Sequence, residues 1–140
     1  MDLDIDYKRG ILYIRLIGSF NSYNIYKFEE EIIPIILELS ARNVSINLSN
    51  VDMIDDFGIN SFIKISNIVN RFNGKVVICD INSSILDYIK NSDVFDYCFK
   101  SKNENSSVGV FSIWKKLCMN LLKQMKALYI KLLQDILNII

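Results

Sequence analysis

The chain has 140 residues, 51% apolar and 23% charged, which suits one domain with a full hydrophobic core. Sixteen basic residues balance sixteen acidic ones, but residues 1–106 hold 11 Lys/Arg against 15 Asp/Glu, whereas residues 107–140 hold five Lys against Asp135 alone. Histidine is absent, which removes the commonest metal ligand and the commonest general base near neutral pH.

Leu3, Ile5 and Tyr7 alternate with Asp4, Asp6 and Lys8, the period of a strand with one wet face. Arg9-Gly10 supplies a turn into a second strand, Ile11–Ile17, and the short connection predicts an antiparallel hairpin. Tyr23 to Arg42 reads as a helix, with Ile25, Phe28, Ile32, Ile36 and Leu39 at spacings of three and four. Asn21 or Ser22 is placed to cap it, and Pro34 should kink or break it.

Val44–Leu48 follows as a short strand and Ser49–Asp56 as a polar loop. Ile59, Phe62, Ile63, Ile65 and Val69 mark a second helix that stops near Asn73-Gly74. Lys75–Asp80 is nearly continuously apolar, as a strand covered on both faces would be. Ser83 or Ser84 should cap a short third helix ending near Lys90. Val94–Phe99 then reads as a last strand and Ser101–Ser107 as a linker. Strands alternating with helices predict an α/β domain with a mainly parallel sheet.

Cys79, Cys98 and Cys118 are widely spaced with no CxxC pair, and the first two sit in apolar runs where free cysteine packs as a small hydrophobe. The acidic start, Met1-Asp2-Leu3-Asp4, is unlike a signal peptide, and no run of 18 uncharged apolar residues suggests a membrane span. A cytoplasmic location is expected. There is no nucleophile–base pair, metal cluster or phosphate-cradling glycine loop, so no enzyme and no cofactor is expected. Asp56-Phe57-Gly58 spells a kinase metal-binding triplet, but without the accompanying kinase loops it is coincidence. The acidic main segment and an arginine-free basic helix argue against nucleic-acid binding.

The stretch Asn47-Leu48-Ser49-Asn50-Val51-Asp52-Met53-Ile54-Asp55-Asp56-Phe57-Gly58 carries the most information. A strand ends and an Asp-rich turn opens a helix, with carboxylates at the positive end of the helix dipole. Taken alone, this is also what a well-capped α/β loop looks like. The stretch resembles the STAS signature, in which "D-L-S-x-V-x-x-I-D" runs into "S-S-G-L", with Asn47 for the usual Asp. Leu16-Ile17-Gly18-Ser19-Phe20-Asn21 is similar to the "L-x-G-x-L-D" element, and Asn73–Ile78 to the "x-G-x-x-L-x-L" element. Together these cover about residues 3–100 and imply a STAS-like mixed, mainly parallel sheet with helices.

By the same resemblance, the function implied is that of an anti-sigma factor antagonist, with an anti-sigma factor or related regulatory kinase as partner. The implied contact surface is Asn21 with the turn Asp55, Asp56, Phe57, Gly58, Ile59, Asn60 and Ser61. In that family a serine just before the Gly accepts phosphate. Phe57 stands there in this chain, and Asp56 replaces the preceding serine, so no phosphorylation site is expected at the turn. The alternative implied by the resemblance is a structural STAS subunit of a membrane-associated complex such as a lipid-transport machine.

Residues 107–140 form a separate expectation, an appended amphipathic helix after a domain spanning residues 1–106. Phe111, Trp114, Cys118, Leu121, Met125, Leu128, Leu132, Ile136 and Ile139 recur every three or four residues, bordered by Leu122, Tyr129 and Ile140. The five lysines lie on the opposite half, though Met119, Ile130 and Leu137 fall among them. Such a helix spans about 50 Å. Its stripe can fold back to complete the core, pair with itself or a partner helix, or lie on a membrane surface at the inner face. Trp114, Leu121, Met125, Leu128 and Leu132 are the candidate contacts.

Overall fold

The computed structural model describes residues 1–139. Five strands form one sheet in chain order: β1 (Asp2–Lys8), β2 (Ile11–Phe20), β3 (Asn43–Ile54), β4 (Lys75–Cys79) and β5 (Phe99–Ser101). β1 runs antiparallel to β2, and the other pairs are parallel. The opening hairpin forms because Arg9 and Gly10 both take positive φ, 54° and 76°, the geometry whose twist matches flanking strands.

Four helices accompany the sheet: α1 (Ile25–Leu39), α2 (Asp56–Asn70), α3 (Ser83–Lys90) and α4 (Glu104–Ile139). Along each inner strand alternate residues enter one core, among them Leu12, Ile14 and Leu16, Val44, Ile46 and Leu48, and Val76 and Ile78. Phe28, Ile32 and Ile36 of α1 and Ile59, Phe62 and Ile65 of α2 meet them there. Phe20, Phe28 and Phe62 form its aromatic centre, with Phe20 4.9 Å from Phe62 and 5.0 Å from Phe28 between ring centroids. Cys79 and Cys98 are both buried, as the apolar runs around them predict.

Several boundaries differ from the sequence expectation. Residues 49–54 are not a loop: β3 continues through them, paired with β2 as far as Phe20↔Ile54. Val51 and Ile54 point inward while Ser49, Asn50, Asp52 and Met53 face solvent, so polar composition here marks a one-sided strand. The expected strand Val94–Phe99 is a 3-10 turn at Val94–Asp96, and β5 starts only at Phe99. Asn82, not Ser83 or Ser84, caps α3 by accepting from the Ser84 N–H at 3.1 Å.

α1 is not broken at Pro34, because that residue lies on the exposed face, where water can serve the carbonyl that loses its partner. Its N-cap position is Asn24, one turn past the expected Asn21. Asn21 instead accepts from the Tyr23 N–H at 3.0 Å and shapes the loop before the helix.

The expected linker contains the start of α4. The Asp80 carboxylate accepts from the Glu104 N–H at 3.1 Å, and Asn103 accepts from the Ser106 N–H at 2.8 Å, so the first orphan donors of the helix are satisfied. Arg15 grips Glu104 with two hydrogen bonds, Nε to Oε1 at 2.7 Å and a second guanidinium nitrogen to Oε2 at 3.0 Å. The backbone divides into two compact units, Met1–Val110 and Phe111–Ile140. In the second unit α4 runs without interruption to Ile139. Phe111 is buried, Trp114 and Cys118 are half-buried, and every residue from Met119 to Ile139 is exposed. Ile140, placed at the border of the apolar stripe by its spacing, lies outside the described residues.

Candidate protein-binding surface

The ends of β2 and β3 and the starts of α1 and α2 meet around Asp55. This residue caps α2: its Oδ1 accepts from the Gly58 N–H at 3.0 Å. Its Oδ2 accepts from the Ser22 N–H at 3.1 Å, across the β2–α1 loop. One carboxylate therefore clamps two loops, with charge-assisted bonds to both. The backbone adds a bond from the Asp55 N–H to the Phe20 carbonyl at 3.4 Å.

Gly58 is required by space, not by φ. A Cβ there would come within 2.8 Å of Ile54 Cγ1 and of the Phe20 carbonyl oxygen. This tight seat fixes the following turn and projects Phe57 outward, where it is 58% exposed. Asp56 and Asn60 are also exposed, while Asn21 and Asp55 are half-buried. Gly58, Ile59 and Ser61 are buried. The Ile59 and Ser61 side chains support the turn from below: Ile59 enters the core, and the Ser61 hydroxyl donates to Glu29 Oε1 at 3.0 Å. Glu29 also holds Lys64 at 2.7 Å.

Four exposed side chains that the sequence reading did not single out flank this turn. Tyr23 follows the Ser22–Asp55 clamp, Tyr26 is on the first turn of α1, and Met53 pairs with Ser19 in the sheet register. Tyr88 of α3 donates its hydroxyl to Asp56 Oδ1, and this bond holds the Tyr88 phenol above its ordinary pKa. The available signal was phase. Tyr26 lies off the Phe28–Ile32–Ile36 face of α1, and Met53 breaks the inward alternation of β3. The surface is thus aromatic and acidic, with Asp52 and Asp56 exposed beside Phe57 and Tyr88.

Burial pushes the Cys79 thiol up to about 11 and the Cys98 thiol up to about 12, so neither offers a thiolate near neutral pH. Among the described residues no cluster of three or more His, Cys, Asp or Glu is placed to hold a metal ion. No described helix is long and apolar enough to cross a membrane. Of the candidate stripe on α4, Leu121, Met125, Leu128 and Leu132 are exposed and Trp114 is half-buried.

A mainly parallel five-stranded sheet opened by an antiparallel hairpin, with an acidic-capped turn before α2, is the STAS architecture. The STAS domain family model matches residues 2–107, and the chain belongs to that family. Its similarity to an anti-sigma F factor antagonist of Paenibacillus polymyxa is 19% identity over 95 residues, covering 68% of this chain and 81% of the relative. Among solved structures it resembles an RsbS variant of Moorella thermoacetica, with TM-score 0.66 at 15% identity, covering 85% of this chain and 99% of that one. The phosphorylated form of the Bacillus cell-fate determinant SpoIIAA matches with TM-score 0.61 at 13% identity, covering 78% and 99%. A segment of the murine Slc26a9 anion transporter also shares the fold, with TM-score 0.63 at 14% identity, covering 77% of this chain and 18% of the transporter.

Proposed function

We propose that this chain is a non-catalytic regulator of the anti-sigma factor antagonist kind that binds its partner without a phosphoserine switch. Residues 1–106 supply the binding domain and 107–140 an appended helix, and the protein works in the cytoplasm. The observation that carries the reading is Phe57, 58% exposed on a turn clamped by Asp55, at the position where the family resemblance puts the phosphate acceptor. A phosphate there would add up to two negative charges and rearrange local contacts. A phenyl ring contributes instead by burial, worth about 1.5–3 kcal/mol when a partner covers it. The partner is an anti-sigma factor or a related regulatory kinase, recognised through a basic, apolar-pocketed surface.

A photoreactive phenylalanine analogue at position 57, expressed in the native host, tests this. Crosslinking should capture an ATP-binding anti-sigma factor or kinase, and Phe57→Ala should weaken the purified complex by about 1–3 kcal/mol. Incubation of the captured kinase with ATP should leave residues 49–66 free of phosphate. Stoichiometric phosphate on Ser61, or binding indifferent to Phe57, sinks the proposal. A second reading, a STAS subunit of a membrane-associated complex, draws support from the likeness to a transporter segment. Co-purification of the chain with integral membrane proteins, in place of a regulatory kinase, distinguishes it.

A further inference from the structure

From its exposure and charge pattern we propose that α4 is an interfacial helix that lies on anionic lipid bilayers, a role independent of what binds at Phe57. The first observation is exposure. Leu121, Met125, Leu128 and Leu132 are 57% to 67% exposed, and every residue from Met119 to Ile139 is exposed. Residues 113–139 make a rod about 40 Å long at 1.5 Å per residue. Apolar surface on that scale needs a cover.

The second observation is the width of the apolar face. At about 100° per residue, the arc from Leu117 through Leu128 and Leu121 to Leu133 spans about 160°. A two-stranded coiled coil covers only the narrower seam of two positions per heptad. A second copy of the helix would leave the borders of this arc in water. A bilayer surface covers all of it at once.

Charge is the third observation. Residues 107–140 carry five lysines against one acid, and none lies inside the arc: Lys115 shares the bearing of Leu133 at one end and Asp135 that of Leu117 at the other. Lys115 and Lys126 sit at one border, where their stems can run along the apolar face while the ammonium groups reach lipid phosphates. Lys116, Lys123 and Lys131 are on the far side, which also carries the exposed Met119, Ile130 and Leu137 next to Lys126. Helix pairs of opposite register would want acids near these lysines, and Asp135 is the only one in the segment. Residues 1–106 carry 11 basic against 15 acidic groups, so net attraction to an anionic surface is concentrated in the helix. Lysines opposite and beside a wide apolar face are what an in-plane helix at the headgroup boundary requires.

The test is flotation of the full chain with vesicles of phosphatidylcholine alone or mixed with phosphatidylglycerol, at low and high salt. Binding should need phosphatidylglycerol and fall at least tenfold when salt shortens the screening length. Lys123→Gln with Lys126→Gln should cut partitioning on the order of 20-fold, at about fivefold per lysine near the surface. Leu121→Gln with Leu128→Gln should abolish it. Both changes fall on exposed positions, so circular dichroism and urea midpoints of the domain should not move. Indifference to vesicles of either composition overturns the proposal. Sedimentation equilibrium then separates the two ways it fails, a stable oligomer that Leu121→Gln with Leu128→Gln dissociates, or a monomer whose helix stays bare.

Discussion

Asp55→Ala removes the clamp that shapes the candidate surface, and its cost can be worked from the two bonds it makes. Loss of the N-cap to Gly58 costs about 0.5–2 kcal/mol in typical helices. The Ser22 N–H also loses an ionised acceptor, and bonds to charged groups contribute about 1.5–3 kcal/mol each. Asp55 is half-buried, so water replaces part of both, and a total of about 2–3 kcal/mol is expected. Urea unfolding should show a midpoint lower by about 1 M with an unchanged slope. Asp55→Asn keeps one neutral acceptor oxygen and should lose about half as much. Hydrogen exchange gives the local readout: the Gly58 and Ser22 amides should lose protection ahead of the sheet. If Asp55→Ala shifts stability by less than about 0.5 kcal/mol, the two bonds do not hold these loops, and the rigid presentation of Phe57 has another cause.

Gly74→Ala should be severely destabilising, because its Cβ would lie 2.2 Å from the Arg42 carbonyl oxygen; a loss below about 1 kcal/mol in urea unfolding would contradict that packing. Gly109→Ala, where a Cβ meets nothing within 4 Å, should instead raise helicity by circular dichroism and stabilise α4 by about 0.5–1 kcal/mol. The Arg15 hydrogen bonds hold the Glu104 carboxyl below its ordinary range. Their stabilisation is therefore full above the unfolded-state value and is lost as pH falls through the lower folded value. Between about pH 5 and 3 the urea midpoint of Glu104→Gln should fall less steeply than wild type; parallel profiles would remove Glu104 from the acid transition. Phe57→Ala should change stability by less than about 1 kcal/mol, since most of the ring is already in water, and a loss of 3 kcal/mol or more in urea would mark it as core.

The hairpin and the helical faces were legible because each has a single dominant period. Leu3, Ile5 and Tyr7 alternate in β1, and Phe28, Ile32 and Ile36 share one face of α1. The second half of β3 was not, because Ser49, Asn50 and Asp52 occupy its wet side, and polar runs in strands and loops look alike without the partner strand. The site was half legible. Carboxylates were expected at the start of α2 and Asp55 is its cap, but its second bond, to Ser22, joins positions 33 apart, and no local pattern encodes that. Gly58 was expected as part of the contact turn, and its constraint is the Phe20 carbonyl and Ile54 side chain beside it, two positions that no local pattern ties to it. Burial of Ile59 and Ser61 follows from the same seat, since the face of α2 that continues from Gly58 turns into the core while Asp56, Phe57 and Asn60 stay outside.

The two outermost strands of the sheet differ in how they meet solvent, and both discourage further strand addition. β1 carries Asp2, Asp4 and Asp6 at alternate positions, and Asp4 is itself tied to Arg15 at 3.0 Å. β5 is only three residues long and includes Lys100. A foreign strand laid along β1 would meet a row of carboxylates, and one laid along β5 would find too short a ladder. Copies of this domain should therefore not join by extending the sheet into a longer one, even at high concentration. Crowding that brings many copies together on a shared surface would concentrate the domain without seeding fibrils.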